Sequence, residues 1–264
     1  MSLNVIDTHG HLDMPEFADD REEVIGRARE AGVNTMITIG INPESNLRAI
    51  RLAEKYPNIF AGIGIHPQDS QGVRREEIER LIEMGKHPRV VAIGELGLDY
   101  FREHSPRADQ LKVLGWQLEA AKIIGKPIVI HCRQAQDEFL PILQEWCGDY
   151  TLPVGTPRGV LHCFSGDERL ALRYIEMGFY VSIGAYVGYP SSAKLRESIK
   201  NIDASKILIE TDSPFLPPQK MRGKRNEPAF ASVTASILAE IKGVSIEEMG
   251  QVTSDNARRV FHIT

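Results

Sequence analysis

His9 and His11 lie one residue apart at the end of the apolar, β-branched run Val5-Ile6-Asp7-Thr8. Side chains alternate across a strand, so residues two apart point the same way, and two imidazoles so placed can grip one cation. Later apolar runs lead in the same fashion into His66, Glu95, His131, His162 and Asp212. A single histidine at a strand end has an ordinary explanation as a hydrogen-bonded imidazole. Repetition of imidazole and carboxylate at the same relative place in successive units points instead to a metal centre. Four imidazoles (His9, His11, His131, His162) and two carboxylates (Glu95, Asp212) exceed the needs of one tetrahedral zinc and suit two divalent ions that share a bridging carboxylate. The expected division puts His9, His11 and Asp212 on one ion and His131 and His162 on the other, with Glu95 between them. Two such ions generate hydroxide at neutral pH and clamp attacking and leaving oxygens, so the expected reaction is hydrolysis. The mixed nitrogen and oxygen donors suit Zn, Mn, Ni or Fe(II), whereas Mg accepts so many imidazoles less readily.

The elements that must hold these residues are short strands alternating with longer helices. Strands are expected over 5–9, 34–40, 60–64, 90–96, 127–131, 158–162, 180–184 and 207–211. Amphipathic stretches such as 20–31, 43–56, 74–86, 106–124, 135–147, 167–177 and 191–200 separate them. Eight units averaging roughly 33 residues apiece match the βαβ building block and predict a (β/α)8 TIM barrel, one domain over 1–264, ahead of a doubly wound open sheet. A barrel of this kind carries its active site at the C-terminal ends of the strands, where all the candidate ligands fall. Strict alternation further predicts that Asp7, Ile93, Val129, Val160 and Glu210, two residues below His9, Glu95, His131, His162 and Asp212, face inward with them. Asp7 and Glu210 are carboxylates in an apolar core, and the expected reason is that they orient a ligand imidazole or loop amides. The Pro-, Lys- and Arg-rich stretch Pro214–Pro228 reads as a binding loop after the last strand.

Composition excludes several alternatives. A 264-residue chain with 42% hydrophobic residues can bury a sizeable core. No apolar run approaches the roughly 18 residues of a membrane span, and the N-terminus lacks the pattern of a secretory leader, so a cytoplasmic protein without a membrane partner is expected. Three scattered cysteines build neither a disulfide framework nor a zinc-cysteine cluster and read as buried thiols. The net charge of −5 argues against electrostatic coating of nucleic acid but leaves room for a strand held by a local basic patch.

With these residues in place, the chain resembles the TatD-type deoxyribonucleases of the amidohydrolase superfamily. The likeness runs through Ile6-Asp7-Thr8-His9-Gly10-His11-Leu12-Asp13, Gly64-Ile65-His66-Pro67, Gly94-Glu95-Leu96-Gly97-Leu98-Asp99-Tyr100, His131-Cys132-Arg133, His162-Cys163-Phe164-Ser165-Gly166, Glu210-Thr211-Asp212-Ser213-Pro214 and Arg222-Gly223-Lys224-Arg225-Asn226-Glu227-Pro228. It implies a barrel with one or two divalent metals and a metal-dependent DNase activity, often exonucleolytic from the 3′ end, with ligand roles for His9, His11, Glu95, His131, His162 and Asp212. DNA is then a transient substrate, and no obligate protein partner is expected. Gly10 stands where many relatives have Cys, and Ser182–Tyr189 departs from the usual strand-seven ending; both border the pocket and bear on substrate preference. The expected mechanism is water attack on phosphorus at a DNA end, with Asp212 as ligand and general base and Glu95 holding both metals. Arg133, two residues beyond His131, leads the candidates for phosphate contact, followed by Arg222, Lys224 and Arg225, since guanidinium forks match phosphate oxygens. His66 reads equally as a substrate contact or a supporting histidine, and Asp99 as a helix-start residue. Two alternatives keep the barrel: hydrolysis of a small ester, lactone or amide, and a non-catalytic nucleic-acid or partner-binding module.

Overall fold

β-Branched runs flanked by turns fold as eight strands: β1 (Val5–Gly10), β2 (Val33–Ile39), β3 (Ile59–Ile63), β4 (Val90–Asp99), β5 (Ile128–Arg133), β6 (Gly159–Leu161), β7 (Phe179–Ile183) and β8 (Ile207–Ile209). The computed structural model describes residues 3–102 and 104–263. Each strand pairs in parallel with the next in chain order. Past β8 the chain reaches β1: the Asp212 amide donates to the His9 carbonyl at 2.8 Å and the His11 amide to that of Ser213 at 2.7 Å. The sheet thereby returns on itself as the expected (β/α)8 barrel.

Seven helices follow the first seven strands: α1 (Arg21–Glu30), α2 (Pro43–Lys55), α3 (Arg75–Gly85), α4 (Arg107–Ile124), α5 (Gln136–Asp149), α6 (Glu168–Glu176) and α7 (Ala193–Asn201). Their starts are chemically marked. Asn42 accepts from the Ser45 amide, with Pro43 in the first turn of α2, and Asp167 accepts from the Leu170 amide to cap α6. Two helices lie beyond β8, α8 (Ala231–Lys242) and α9 (Ile246–Phe261), where the eight-unit reading implies one and the sequence marks the range of neither. α8 packs against β1, α7 and α9 and buries a stripe of mostly small residues, Ala231, Thr234, Ala235, Leu238 and Ala239. In α9 the buried Thr253, Ser254 and Asn256 interrupt the apolar face. Among the described residues no single helix is long and apolar enough to cross a membrane.

The barrel interior holds Ile6, Ile37, Val129, Val160, Tyr180 and Leu208, closed from below by Val260, Phe261 and Ile263. The larger core, including Ile93, Leu96, Leu98, Ile128 and Ile130, fills the layer between sheet and helices. This distribution upholds the parity expectation for β5, β6 and β8 but corrects it at two places. In β1 the register slips between Asp7 and Gly10, so Asp7 pairs with Met36 of the outer layer while Ile6 fills the interior. In β4 it slips between Ile93 and Leu96, and Ile93 joins the outer layer. Each irregularity adds residues on one strand, which breaks strict alternation just below a candidate ligand and re-aims His9 and Glu95 into the mouth. Gly97 makes the close approach of β4 to β5 possible, since a Cβ there would lie 1.8 Å from the His131 carbonyl oxygen.

Candidate metal centre

The C-terminal halves of β1, β4 and β5 and the segments just past β1, β6 and β8 bring His9, His11, Glu95, His131, His162 and Asp212 together. β6 and β8 stop short of the expected 162 and 211 because Cys163 and Asp212 have positive φ, 50° and 57°, which a parallel ladder does not accept. His162 and Asp212 are therefore presented on turns. Glu95 is the hub. Its Oε2 lies 3.3 Å from His9 Nε2 and 3.9 Å from His11 Nε2. Its Oε1 lies 2.6 Å from His131 Nδ1 and 2.7 Å from His162 Nε2. Asp212 Oδ1 lies 3.4 Å from His11 Nε2 and 3.9 Å from His9 Nε2.

These distances describe two kinds of donor group. Ligands of a tetrahedral zinc, at about 2.0–2.1 Å from the ion, stand roughly 3.3 Å apart. The group of His9, His11, Asp212 and Glu95 Oε2 has separations in that range, wider than hydrogen bonds. His9 Nε2 is buried, has no hydrogen-bond partner and faces two carboxylates, which is the disposition of a donor atom aimed at a common cation. The group of Glu95 Oε1, His131 and His162 is instead closed by charge-assisted hydrogen bonds and fits an ion after opening by a fraction of an ångström. The residues present thus fit divalent metals: three-residue sets His9–His11–Asp212 and His9–Glu95–His162 each converge within 4.8 Å.

Ring orientation is fixed from behind. His11 Nδ1 shares a hydrogen bond with the Ile39 carbonyl at 2.8 Å. Glu210 takes the Cys163 amide at 2.6 Å and stands 3.9 Å from His162 Nδ1. Asp7 accepts from the Thr211 amide and hydroxyl at 2.9 and 2.7 Å. Both carboxylates therefore organise ligand-bearing turns, and neither pairs with a Lys or Arg among the described residues. Burial pushes Asp7 up to about 8 and Glu210 up to about 7.

Burial also dominates the centre's own electrostatics. It lowers His9 to about 4, aided by the neighbouring His162 charge. For His11 burial is outweighed by the Asp212 carboxylate and for His162 by Glu95, so their pKa values rise to about 9 and about 10. Against its own burial, Glu95 is held well below the usual carboxylate range by His162, His66 and His131, and Asp212 is lowered by His11. Without metal, two carboxylates are balanced by imidazolium protons, and divalent ions would take the place of those protons.

The remaining sequence candidates separate. His66 Nε2 lies 3.7 Å from Glu95 Oε1, and its Nδ1 accepts from the Gln68 amide at 3.1 Å. Arg133 stands at the exit of β5 with its guanidinium 3.7 Å over the Phe101 ring. Arg222 is exposed and lies over the Tyr189 ring at 4.8 Å. Arg225 is not brought to the centre: its fork is taken by Asp20 at 2.8 and 2.7 Å and by Glu227 at 2.9 Å, which pin the loop to α1. Two residues carry more than the sequence assigned them. Asp99 is buried, accepts the Phe101 and Arg102 amides through Oδ1, and places Oδ2 3.2 Å from His131 Nε2. It orients that ring, and only the spacing Glu95-x-Gly97-x-Asp99 on one strand face could have signalled it. Asn226, fully buried, donates to the carbonyls of Thr211, Phe215 and Leu216 and so fastens the turn that carries Asp212.

Comparison with known proteins places this centre in context. The family model of TatD related DNases matches residues 6–262. A Bacillus subtilis protein described as an uncharacterized metal-dependent hydrolase, YabD, is 39% identical over 98% of this chain and 99% of its own. The 3′-5′ ssDNA/RNA exonuclease TatD of Salmonella typhimurium is 34% identical over 96% of this chain and 97% of its own. The crystal structure of YJJV, a TatD homolog from Escherichia coli K12, superposes with a TM-score of 0.90 at 30% identity and covers 98% of both chains.

Proposed function

The chain belongs to the TatD related DNase family, and from that premise we propose that it is a metal-dependent phosphodiesterase that removes nucleotides from the 3′ end of single-stranded DNA at a dinuclear centre. The observation that carries this reading is Glu95, whose two oxygens serve two separate sets of imidazoles, His9 with His11 and His131 with His162. His9, His11 and Asp212 would hold one ion, His131 and His162 the other, and Glu95 both. Zn, Mn, Ni and Fe(II) suit this set better than Mg. Bound ions supply the positive charge that activates water and stabilises phosphodiester oxygens.

The chain's own groups do the rest. Asp212 is the more exposed of the two carboxylates, at 13% against 4% for Glu95, and is held ionised, so it is the carboxylate able to take a proton from water attacking phosphorus. His66 accepts an amide through Nδ1, which leaves its ring proton on Nε2, and burial lowers its pKa to about 3, so it is a neutral donor to a phosphate oxygen. Arg133, fixed on Phe101 at the rim, offers a bidentate fork to a phosphate. Basic groups at the mouth favour a phosphodiester over a neutral ester, lactone or amide. The test is metal analysis of purified protein together with digestion of 3′- and 5′-labelled single- and double-stranded DNA. Shortening of single strands from the 3′ end, lost on chelation and reduced roughly 10²- to 10⁴-fold by Asp212→Asn, supports the reading. Chelator-insensitive cleavage, or none on any DNA, overturns it.

A further inference from the structure

Among the described residues six large hydrophobic side chains are exposed. Leu47, Ile123 and Leu172 sit on α2, α4 and α6, and Val154 on the loop entering β6 at the opposite end of the barrel from the metal centre. The two aromatic ones, Phe101 at 53% and Phe215 at 45%, both stand at the mouth. Each is tied through its backbone to a residue of the centre. The Phe101 amide donates to Asp99 Oδ1 at 2.9 Å, and the Phe215 amide to the Asp212 carbonyl at 2.8 Å. The Phe215 ring lies 6.0 Å from that of His11, and the Arg133 guanidinium covers one face of Phe101, which is still 53% exposed. Phe101 follows β4 and Phe215 follows β8, four strands apart in an eight-stranded ring, so the two rings occupy opposite walls with the ligands between them.

An exposed phenyl ring gains nothing from water, and two of them fixed on either side of a phosphate-directed centre match the flat faces of consecutive nucleobases. We propose that Phe101 and Phe215 are stacking platforms that hold the last bases of a single strand on either side of the scissile phosphate. This rests on the phosphodiesterase reading above and deepens it by naming what selects the substrate. Stacking is tolerant of sequence because every base has a π face, and it is denied to a base still stacked in a duplex. The platforms therefore select frayed or single-stranded ends of any sequence.

The experiment uses the full chain with divalent metal and 5′-labelled single-stranded oligonucleotides, comparing normal 3′ ends with ends carrying an abasic nucleotide at the last or penultimate position. Phe101→Ala and Phe215→Ala should each lower kcat/KM on normal ends roughly five- to a hundred-fold. An abasic nucleotide should cause a similar loss in the wild type and abolish the further effect of one of the two substitutions. Trp at either position, which retains a π face, should restore activity on normal ends to within a few-fold. Losses of equal size on normal and abasic ends would show that the rings support the fold of the mouth and overturn the inference. Wild-type digestion with unaffected Ala variants overturns the inference alone, whereas no digestion by the wild type overturns the phosphodiesterase reading itself.

Discussion

Replacing Asn226 by leucine tests whether the turn bearing Asp212 is held by one buried amide. The two side chains have the same number of heavy atoms in the same branched arrangement, so the change acts chiefly through the hydrogen bonds, with the bulk of the leucine methyls adding to the cost. The Asn226 amide donates to Thr211 at 2.7 Å, Phe215 at 2.6 Å and, more weakly, Leu216 at 3.3 Å, and its oxygen takes the Glu227 amide at 2.9 Å. Losing two good hydrogen bonds and leaving buried carbonyls unmatched costs about 2–4 kcal/mol. An unfolding entropy of about 2.1 cal/mol/K per residue amounts to roughly 0.55 kcal/mol/K for this chain, so Tm should fall by about 4–7 °C. Relaxation of the turn displaces Asp212 from His9 and His11, and a displacement of about 1 Å lowers turnover roughly 10²-fold. Thermal unfolding by circular dichroism and steady-state digestion of a labelled strand read the two effects separately. A Tm within a degree of wild type together with unchanged turnover would refute the reasoning.

Further expectations concern the centre itself. Glu95→Gln preserves shape but removes the charge shared by both donor groups, so metal stoichiometry measured by plasma emission should drop and turnover fall by about 10³ or more; full metal content with normal turnover argues against sharing. His11 and His162 are raised above neutrality and must lose their protons to bind metal. Apparent affinity should therefore weaken as pH falls from about 9 towards 6, with proton release visible as a buffer-dependent calorimetric enthalpy, and a pH-independent affinity would contradict the assignment. Arg133→Lys keeps the charge and loses the fork, so kcat/KM on DNA should fall roughly ten- to a hundred-fold at unchanged metal content, whereas equal losses on a small neutral ester would point to a structural role.

How much was legible in the sequence depended on how local the signal was. His9, His11, Glu95, His131, His162 and Asp212 were visible because each ends an apolar run, and apolar runs are read directly from residue type. The parity argument held where the ladder is regular, as at Val129–His131 and Val160–His162, and failed at Asp7 and Ile93, where register slips create bulges that no alternation rule anticipates. Asp99 was missed because its meaning depends on β4 running on past Glu95 to pair with β5. Arg225 looked like a phosphate contact because its partner Asp20 lies 205 residues away in the chain. The helices α8 and α9 escaped although their buried residues recur at helical spacing, because several of those residues are small or polar, Ala231, Thr234 and Ala235 in α8 and Gly250, Thr253, Ser254 and Asn256 in α9, and a reading that follows large apolar side chains passes over them.

The seam between the first and last strands has a consequence for how the molecule comes together. Asp212 and Ser213 are the residues that join β1, so the hydrogen bonds that close the barrel and the donor atoms that meet His9 and His11 lie on the same few residues. More than 200 residues of chain separate the two edges, as between Asp7 and Thr211, and bringing such distant segments together is the costliest contact this topology makes and among the slowest to form. A cation bound across the seam favours the closed ring over any open one in proportion to its occupancy. An ion bound there would act as a clasp, and the β1 and β8 edges should be the first to exchange their amide hydrogens when it is withdrawn.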